Sequence, residues 1–267
     1  MDWLRVRRGD APLVIACPHG GTDLAGLDDQ FVSPWLARLD TDWWIEHLYA
    51  FAADSGATLV ATDISRSVID MNRDPSGASL YPGQATTGLC PTTSFDGEPL
   101  YRFGDPDEAE ILRRLNLYHR PYHDALAAEL DRLKTAHGNV VLYDAHSIRS
   151  HVPRLFDGEL PHYNIGTNDG ATCAPRLESL VAGLCAASGM SSVVNGRFKG
   201  GWTTRHYGRP DDGIHAIQME LAQRGYMAEP AERTADSWPT PIDPDPAILP
   251  VLRQVIAAAL DFAKGMA

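Results

Sequence analysis

Leu13-Val14-Ile15-Ala16-Cys17-Pro18-His19-Gly20-Gly21 begins with five unbroken apolar residues and ends on a proline, a histidine and two glycines. A short apolar run bounded by prolines reads as a strand buried on both faces, which belongs inside a parallel or mixed sheet. Residues 42–55 then read as a helix that starts on an Asp cap and stops before Gly56. Residues 57–61, Ala-Thr-Leu-Val-Ala, read as the next strand. Strand, helix, strand is the mark of a sheet covered by helices, so the expected class is α/β.

The pattern continues downstream. Ile111, Leu115, Tyr118, Tyr122, Leu126, Leu130 and Leu133 recur at helical spacing over residues 107–136, and Pro121 should kink or divide that helix. Residues 139–144 form a strand that delivers His146 at its end, residues 175–188 a helix, and residues 192–194 a strand. Residues 214–221 form a strand carrying His215, Gln218 and Glu220, and residues 247–264 a closing amphipathic helix. Residues 75–107 are rich in Pro, Gly, Thr and Ser and too long for a plain connection, as lids and pocket walls often are. No repeat or linker interrupts this order. The expectation is one domain over residues 1–267, with a mixed, mostly parallel sheet flanked by helices.

The 267 residues are 44% hydrophobic, enough for a substantial core. A formal net charge of −12, from 23 basic and 35 acidic residues, repels nucleic acid and anionic membrane and argues against either as a partner. There is neither an apolar run of 18 residues nor the apolar stretch of a secretory signal near Met1, so a cytoplasmic protein is expected. Cys17, Cys90, Cys173 and Cys185 lack the C-x-x-C spacing of a zinc or redox site and read as free thiols. Cys17, at the end of an apolar strand, reads as core rather than as a catalytic thiol.

Against this acidic background, arginines gather in two segments. Ser65-Arg66-Ser67-Val68-Ile69-Asp70-Met71-Asn72-Arg73-Asp74 packs two guanidiniums and an amide after an apolar strand, and residues 195–206 hold Arg197 and Arg205 beside glycines. Arg pairs bidentately with carboxylates and a neighbouring Asn adds a directional donor, so a small acid is the expected substrate class. His19 and His146 each lie at the end of an apolar strand, where ligands bind in open α/β sheets. Two histidines with one carboxylate make a common catalytic zinc set that leaves a position for water.

The ordered motifs Pro18-His19-Gly20-Gly21, Asp40-Thr41-Asp42-Trp43, Ser65-Arg66 through Asp70-Met71-Asn72-Arg73, Leu80-Tyr81-Pro82-Gly83, Asp144-Ala145-His146-Ser147-Ile148-Arg149-Ser150, Asn195-Gly196-Arg197-Phe198-Lys199-Gly200-Gly201 and Gln218-Met219-Glu220 closely resemble the N-formylglutamate amidohydrolase family, over about residues 10–229. That family resembles zinc carboxypeptidases and aspartoacylases. The resemblance implies one zinc-carboxypeptidase-like domain (phosphorylase/hydrolase-like), a single zinc ion, and hydrolysis of N-formylglutamate to formate and glutamate in histidine degradation.

Carried onto this sequence, the resemblance makes His19 and His146 the histidine ligands. Aspartoacylase-like enzymes use His-x-x-Glu, but three residues after His19 stands Thr22. Related zinc amidases take a carboxylate from the start of the next helix, which selects Asp42, with Asp40 and Asp23 still open. Arg66 followed by Asp70-Met71-Asn72-Arg73 resembles the aspartoacylase Arg and Asp-Leu-Asn-Arg pair with one residue fewer between. By that likeness Arg66 polarises the scissile carbonyl, Asn72 and Arg73 hold the α-carboxylate, and Glu220 is the general base. Arg197 or Arg205 is left for the side-chain carboxylate, with His206 and His215 as pocket acids or hydrogen-bonding groups. The rival readings are another zinc amide hydrolase acting on N-acyl amino acids (an aminoacylase or desuccinylase), a peptidoglycan-type amidase, and a non-catalytic carboxylate-binding protein.

Overall fold

The computed structural model describes residues 1–79, 83 and 86–265. Its centre is a seven-stranded sheet of β1 (Leu4–Arg7), β2 (Leu13–Cys17), β3 (Thr58–Thr62), β4 (Val140–Ile148), β5 (Tyr163–Gly166), β6 (Ser192–Val194) and β7 (Ile214–Ala222), in the order β1-β3-β2-β4-β7-β5-β6. The neighbours β3, β2, β4 and β7 run parallel, as do β5 and β6, whereas β1 is antiparallel to β3 and β5 to β7. The sheet is therefore mixed and mostly parallel. Every residue of β2, β3, β4 and β7 is buried. Burying each Leu, Ile or Val there contributes about 1.5–3 kcal/mol, and the helical layers that cover both faces provide that burial.

Those layers contain α1 (Leu36–Leu39), α2 (Ile45–Tyr49), α3 (Glu108–Arg114), α4 (Arg120–His137), α5 (Pro175–Ala187), α6 (Trp202–Tyr207) and α7 (Leu249–Ala263). The expected 42–55 helix is shorter and differently capped. Trp44 adopts φ 61°, α2 begins only at Ile45, and residues Ala50–Ser55 tighten into 3₁₀ geometry before Gly56 closes the turn at φ 82°. Asp42 does not cap it, because its carboxylate is taken by side chains across the sheet. The expected 107–136 helix does divide at Pro121. Asp107 caps α3 by accepting from Glu110 N, and residues Leu115–His119 then widen into a π turn, with Arg120 N donating to Leu115 O, before α4 starts with Pro121 in its first turn. Proline has no N–H to donate, so the widened turn ahead of it absorbs the mismatch.

The sequence pattern passes over β1, β5, α1 and α6, each of four to six residues. Elements that short carry too little periodicity to be read. Leu80, Tyr81 and Pro82 of the quoted motif lie outside the described residues. Among the described residues of 75–107, Thr86, Thr87 and Phe95 line the main cleft, so this loop forms pocket wall. No helix among the described residues is long and apolar enough to cross a membrane.

Candidate active site

Strand geometry concentrates polar groups at the carboxyl ends of β2, β4 and β7. Side chains two residues apart share a face, so Asp144 with His146 on β4 and Gln218 with Glu220 on β7 point the same way. The parallel register then pairs Asp144 with Gln218 and His146 with Glu220. His146 therefore lies within a strand rather than just beyond the apolar run. His215 has the opposite parity. Its Nδ1 accepts from Ala174 N at 3.2 Å and its ring meets Phe262 edge-on, so it is a structural side chain and not a pocket group.

His19 leaves β2 and turns towards the same place. Its ring centroid is 4.8 Å from that of His146, and both imidazoles are buried. Asp42 lies between them, with Oδ2 3.1 Å from His146 Nδ1 and 3.7 Å from His19 Nδ1. Candidate ligand atoms of His19, Asp42 and His146 all lie within 4.8 Å of one another. Neither alternative carboxylate joins them. Asp40 accepts from Phe95 N and pairs with Arg149, while Asp23 is exposed and accepts from Ala25 N.

Each remaining edge of this trio is also held. Asp70 Oδ1 is 2.6 Å from His19 Nε2, and Asp144 Oδ1 is 3.1 Å from His146 Nε2. Such outer carboxylates orient imidazoles that bind metals. Arg66 spans two carboxylates, donating to Asp42 Oδ1 at 3.2 Å and to Asp70 Oδ2 at 3.0 Å, with its guanidinium over the Phe95 ring. Asn72 Oδ1 accepts from Thr203 N, and its Nδ2 faces His146 Nε2 at 3.0 Å. Arg73 donates through Nε to Thr87 O and through Nη2 to Thr87 Oγ1. Sequence reasoning does not single out Thr87, Asp70 and Asp144 as site residues. Asp70 and Asp144 lie inside the quoted motifs, but a carboxylate that acts on a histidine from behind leaves no spacing signal of its own.

Charge states follow from these contacts. Burial pushes the Asp42 carboxyl up, but the His146 imidazole hydrogen-bonded to it and the nearby His19 ring hold it below the usual carboxylate range. Asp70 behaves alike, with burial outweighed by Arg73, His19 and Arg66. Burial disfavours the His146 cation, yet Asp144 and Asp42 raise its pKa well above the ordinary histidine value. Glu220 is different: burial dominates and pushes its carboxyl up to about 8. The hydrogen bond it accepts from Gln218 Nε2 at 3.2 Å comes from a neutral amide, which offsets little of that burial. The Cys17 thiol, buried in β2 and raised mainly by burial, is not a nucleophile.

The surrounding cleft is lined on its polar side by His19, His146, Glu220, Arg66, Arg73 and Arg197. Phe95, Ile148, Leu155 and Phe198 form an apolar flank. Arg197 is anchored through Nε to Leu155 O at 2.7 Å. Arg205 does not line the cleft. It lies on α6 with Nε donating to Gly200 O, and the exposed His206 stacks on Trp202.

The sequence profile of the N-formylglutamate amidohydrolase family matches residues 11–227. The chain belongs to this family. It is similar to an N-formylglutamate deformylase of Pseudomonas aeruginosa, with 52% identity over 233 residues covering 86% of this chain and 87% of that one. It is 52% identical over 229 residues to a deformylase of the same description from Pseudomonas putida, covering 85% of each. Among solved structures, an N-formylglutamate amidohydrolase from Ralstonia eutropha JMP134 superposes with TM-score 0.79 at 26% identity, over 100% of this chain and 99% of that one. Family membership makes the chain an amidohydrolase acting on linear amides. His19, Glu220 and the cleft arginines all fall within the matched span.

Proposed function

We infer that the protein hydrolyses N-formyl-L-glutamate to formate and L-glutamate, as a zinc enzyme of the cytoplasm closing a histidine-degradation route. One observation carries this reading. His19 and His146, with the buried Asp42 between them, the Glu220 carboxyl and the Arg66, Arg73 and Arg197 guanidiniums come together at a single cleft, which all of them but Asp42 line.

The donor set fits a zinc ion. His19 Nδ1 is buried with no hydrogen-bond partner, although its Nε2 is engaged by Asp70. A buried imidazole nitrogen left without a partner is costly, and a cation held by His19, Asp42 and His146 would satisfy it. When bound, the ion supplies Lewis-acid polarisation of the carbonyl and activation of water.

The chain's own groups do the rest. A cation at the trio would favour the ionised form of Glu220, and that carboxylate, its proton affinity raised by burial, takes the proton from the attacking water and returns it to the leaving nitrogen. Arg66 carries five N–H donors, and Asp42 and Asp70 each accept one. Those left over stabilise charge developing on the formyl oxygen. Asn72 and Arg73 hold the α-carboxylate, and Arg197 the side-chain carboxylate, so that the formyl carbon is presented to Glu220 and the trio. Arg205, outside the cleft, has no part in this reading.

The test is direct. Formate and glutamate release is measured for purified protein before chelation, after it, and after zinc is restored, with N-acetyl- and N-succinyl-glutamate alongside. Chelation should abolish turnover, zinc should restore it, and rates should fall steeply from formyl to acetyl to succinyl. Faster turnover of either larger substrate would replace deformylation with a general N-acyl amino-acid hydrolase.

A further inference from the structure

Residues 71–73, which carry Asn72 and Arg73, belong to neither a helix nor a strand, so no ladder supplies donors for their backbone carbonyls. Buried carbonyls need partners, and here side chains provide them. Arg73 Nη1 donates to Asn72 O at 3.1 Å. The other two carbonyls are met by histidines from the next layer. His123 Nε2 lies 2.7 Å from Met71 O, and His119 Nε2 lies 3.0 Å from Arg73 O.

These histidines sit four residues apart, on the same helical face, at the junction of the π turn and α4. Both are buried, which lowers their pKa values, that of His123 to about 3. As neutral rings meeting carbonyls, both present Nε2–H as the donor. His123 Nδ1 is left to face the Tyr207 hydroxyl at 3.1 Å. Trp202 closes the group, with its ring 5.4 Å from that of His119 and 4.6 Å from that of His123. The two residues flanking Trp202 engage the cleft themselves: Gly201 N donates to Gln218 and Thr203 N to Asn72.

We propose that His119 and His123 are positioning residues: through the Arg73 and Met71 carbonyls they set the backbone that places the Asn72 amide and the Arg73 guanidinium in the cleft. This rests on the reading of Asn72 and Arg73 as substrate-carboxylate anchors. A histidine is suited to the task because a neutral ring donates one directional N–H without introducing a charge, and its aromatic ring still packs against Trp202, tilted for His119 and edge-to-face for His123. The π turn contributes by bringing His119 round to Arg73 O while α4 continues past Pro121.

The experiment replaces each histidine by Phe, which keeps an aromatic ring and removes the N–H, and by Gln, which keeps an N–H donor. For N-formyl-L-glutamate, each Phe variant should raise KM at least about tenfold while kcat changes less than threefold and zinc content is unchanged. The Gln variants should recover part of that loss. In an Arg73→Ala background the Phe changes should add little, because both delete one anchor. A lower melting temperature with KM unchanged would overturn the proposal and leave the histidines a purely structural role. A readout independent of substrate separates this outcome from failure of the deformylase reading. In crystal structures of His119→Phe or His119→Gln, Arg73 should leave Thr87 in the first and stay in the second. If Arg73 keeps its place in His119→Phe, the proposal fails whatever substrate the wild-type enzyme turns over.

Discussion

Asp42 Oδ2 lies 3.1 Å from His146 Nδ1 across a separation of 104 residues, and the same oxygen accepts from Ser147 N at 3.1 Å. The other carboxylate oxygen accepts from Arg66, so hydrogen bonds orient both oxygens of this buried carboxylate. This side chain ties the connection between α1 and α2 to β4 and to the Arg66 segment.

Removing any member of the trio should therefore remove metal. Purified His19→Ala, Asp42→Ala and His146→Ala are expected to hold substoichiometric zinc by elemental analysis, whereas Asp23→Ala and Asp40→Ala stay fully loaded, because a catalytic site has no spare protein ligand. Asp70→Asn should weaken zinc binding by about 10–100-fold, the usual effect of an outer carboxylate on a ligating histidine. Full zinc occupancy in His19→Ala would move the site elsewhere.

Glu220→Gln should keep zinc and lower kcat by about 10²–10⁴-fold, the range for a general acid–base group. Stability offers a second check on the metal-free protein. A carboxyl whose folded pKa is raised to about 8 contributes stability that is fully present below its unfolded pKa and disappears as pH climbs through 8. His123, lowered to about 3, acts in the opposite sense at acidic pH, so the informative quantity is a difference. Relative to Glu220→Gln, the wild-type protein should lose stability by up to about 1.4 kcal/mol per pH unit between pH 5 and 8. Parallel denaturation curves for the two proteins across that window would assign the titration to another group.

Arg73→Lys keeps the charge and removes the planar fork. It should cost about 1.5–3 kcal/mol in kcat/KM, the worth of a hydrogen bond to a charged group. N-formyl amines lacking the α-carboxylate should be poor substrates of the wild-type enzyme and suffer little more from Arg73→Ala, since both changes delete the same contact. If the two losses add in full, the α-carboxylate falls to Arg197.

Gly201→Ala tests how tightly α6 is seated on Asn72. A Cβ at this position would come within 2.2 Å of Asn72 Nδ2, and the backbone there is extended, so the effect is steric and not conformational. Overpacking of this kind costs about 1–3 kcal/mol in stability. Calorimetry should register that loss together with a fall in kcat/KM larger than a surface Gly183→Ala produces.

The sequence by itself determined the α/β class, the four buried strands that end near the site, and the division at Pro121. Runs such as residues 13–17 and 140–143 are apolar on both faces, and only a covered sheet accommodates that pattern. It also held the residues that the structure brings together, because His19, Asp42, Arg66, Asn72, His146 and Glu220 all stand in the short motifs that carry the family resemblance. Tertiary structure alone decided the rest. Asp42 looks like a helix cap until β4 is laid beside β2, and its carboxylate then finds His146 and Arg66 instead of a helix N-terminus. Asp40 is drawn away by Arg149, His215 is turned to the far face by one residue of strand parity, and Arg205 is held at Gly200. Thr87, His119 and His123 reach the Arg73 segment only through packing. Spacing along a chain reports which side chains share a face of one element. Which faces meet is decided by strand order and register, and neither is written in any local window of sequence.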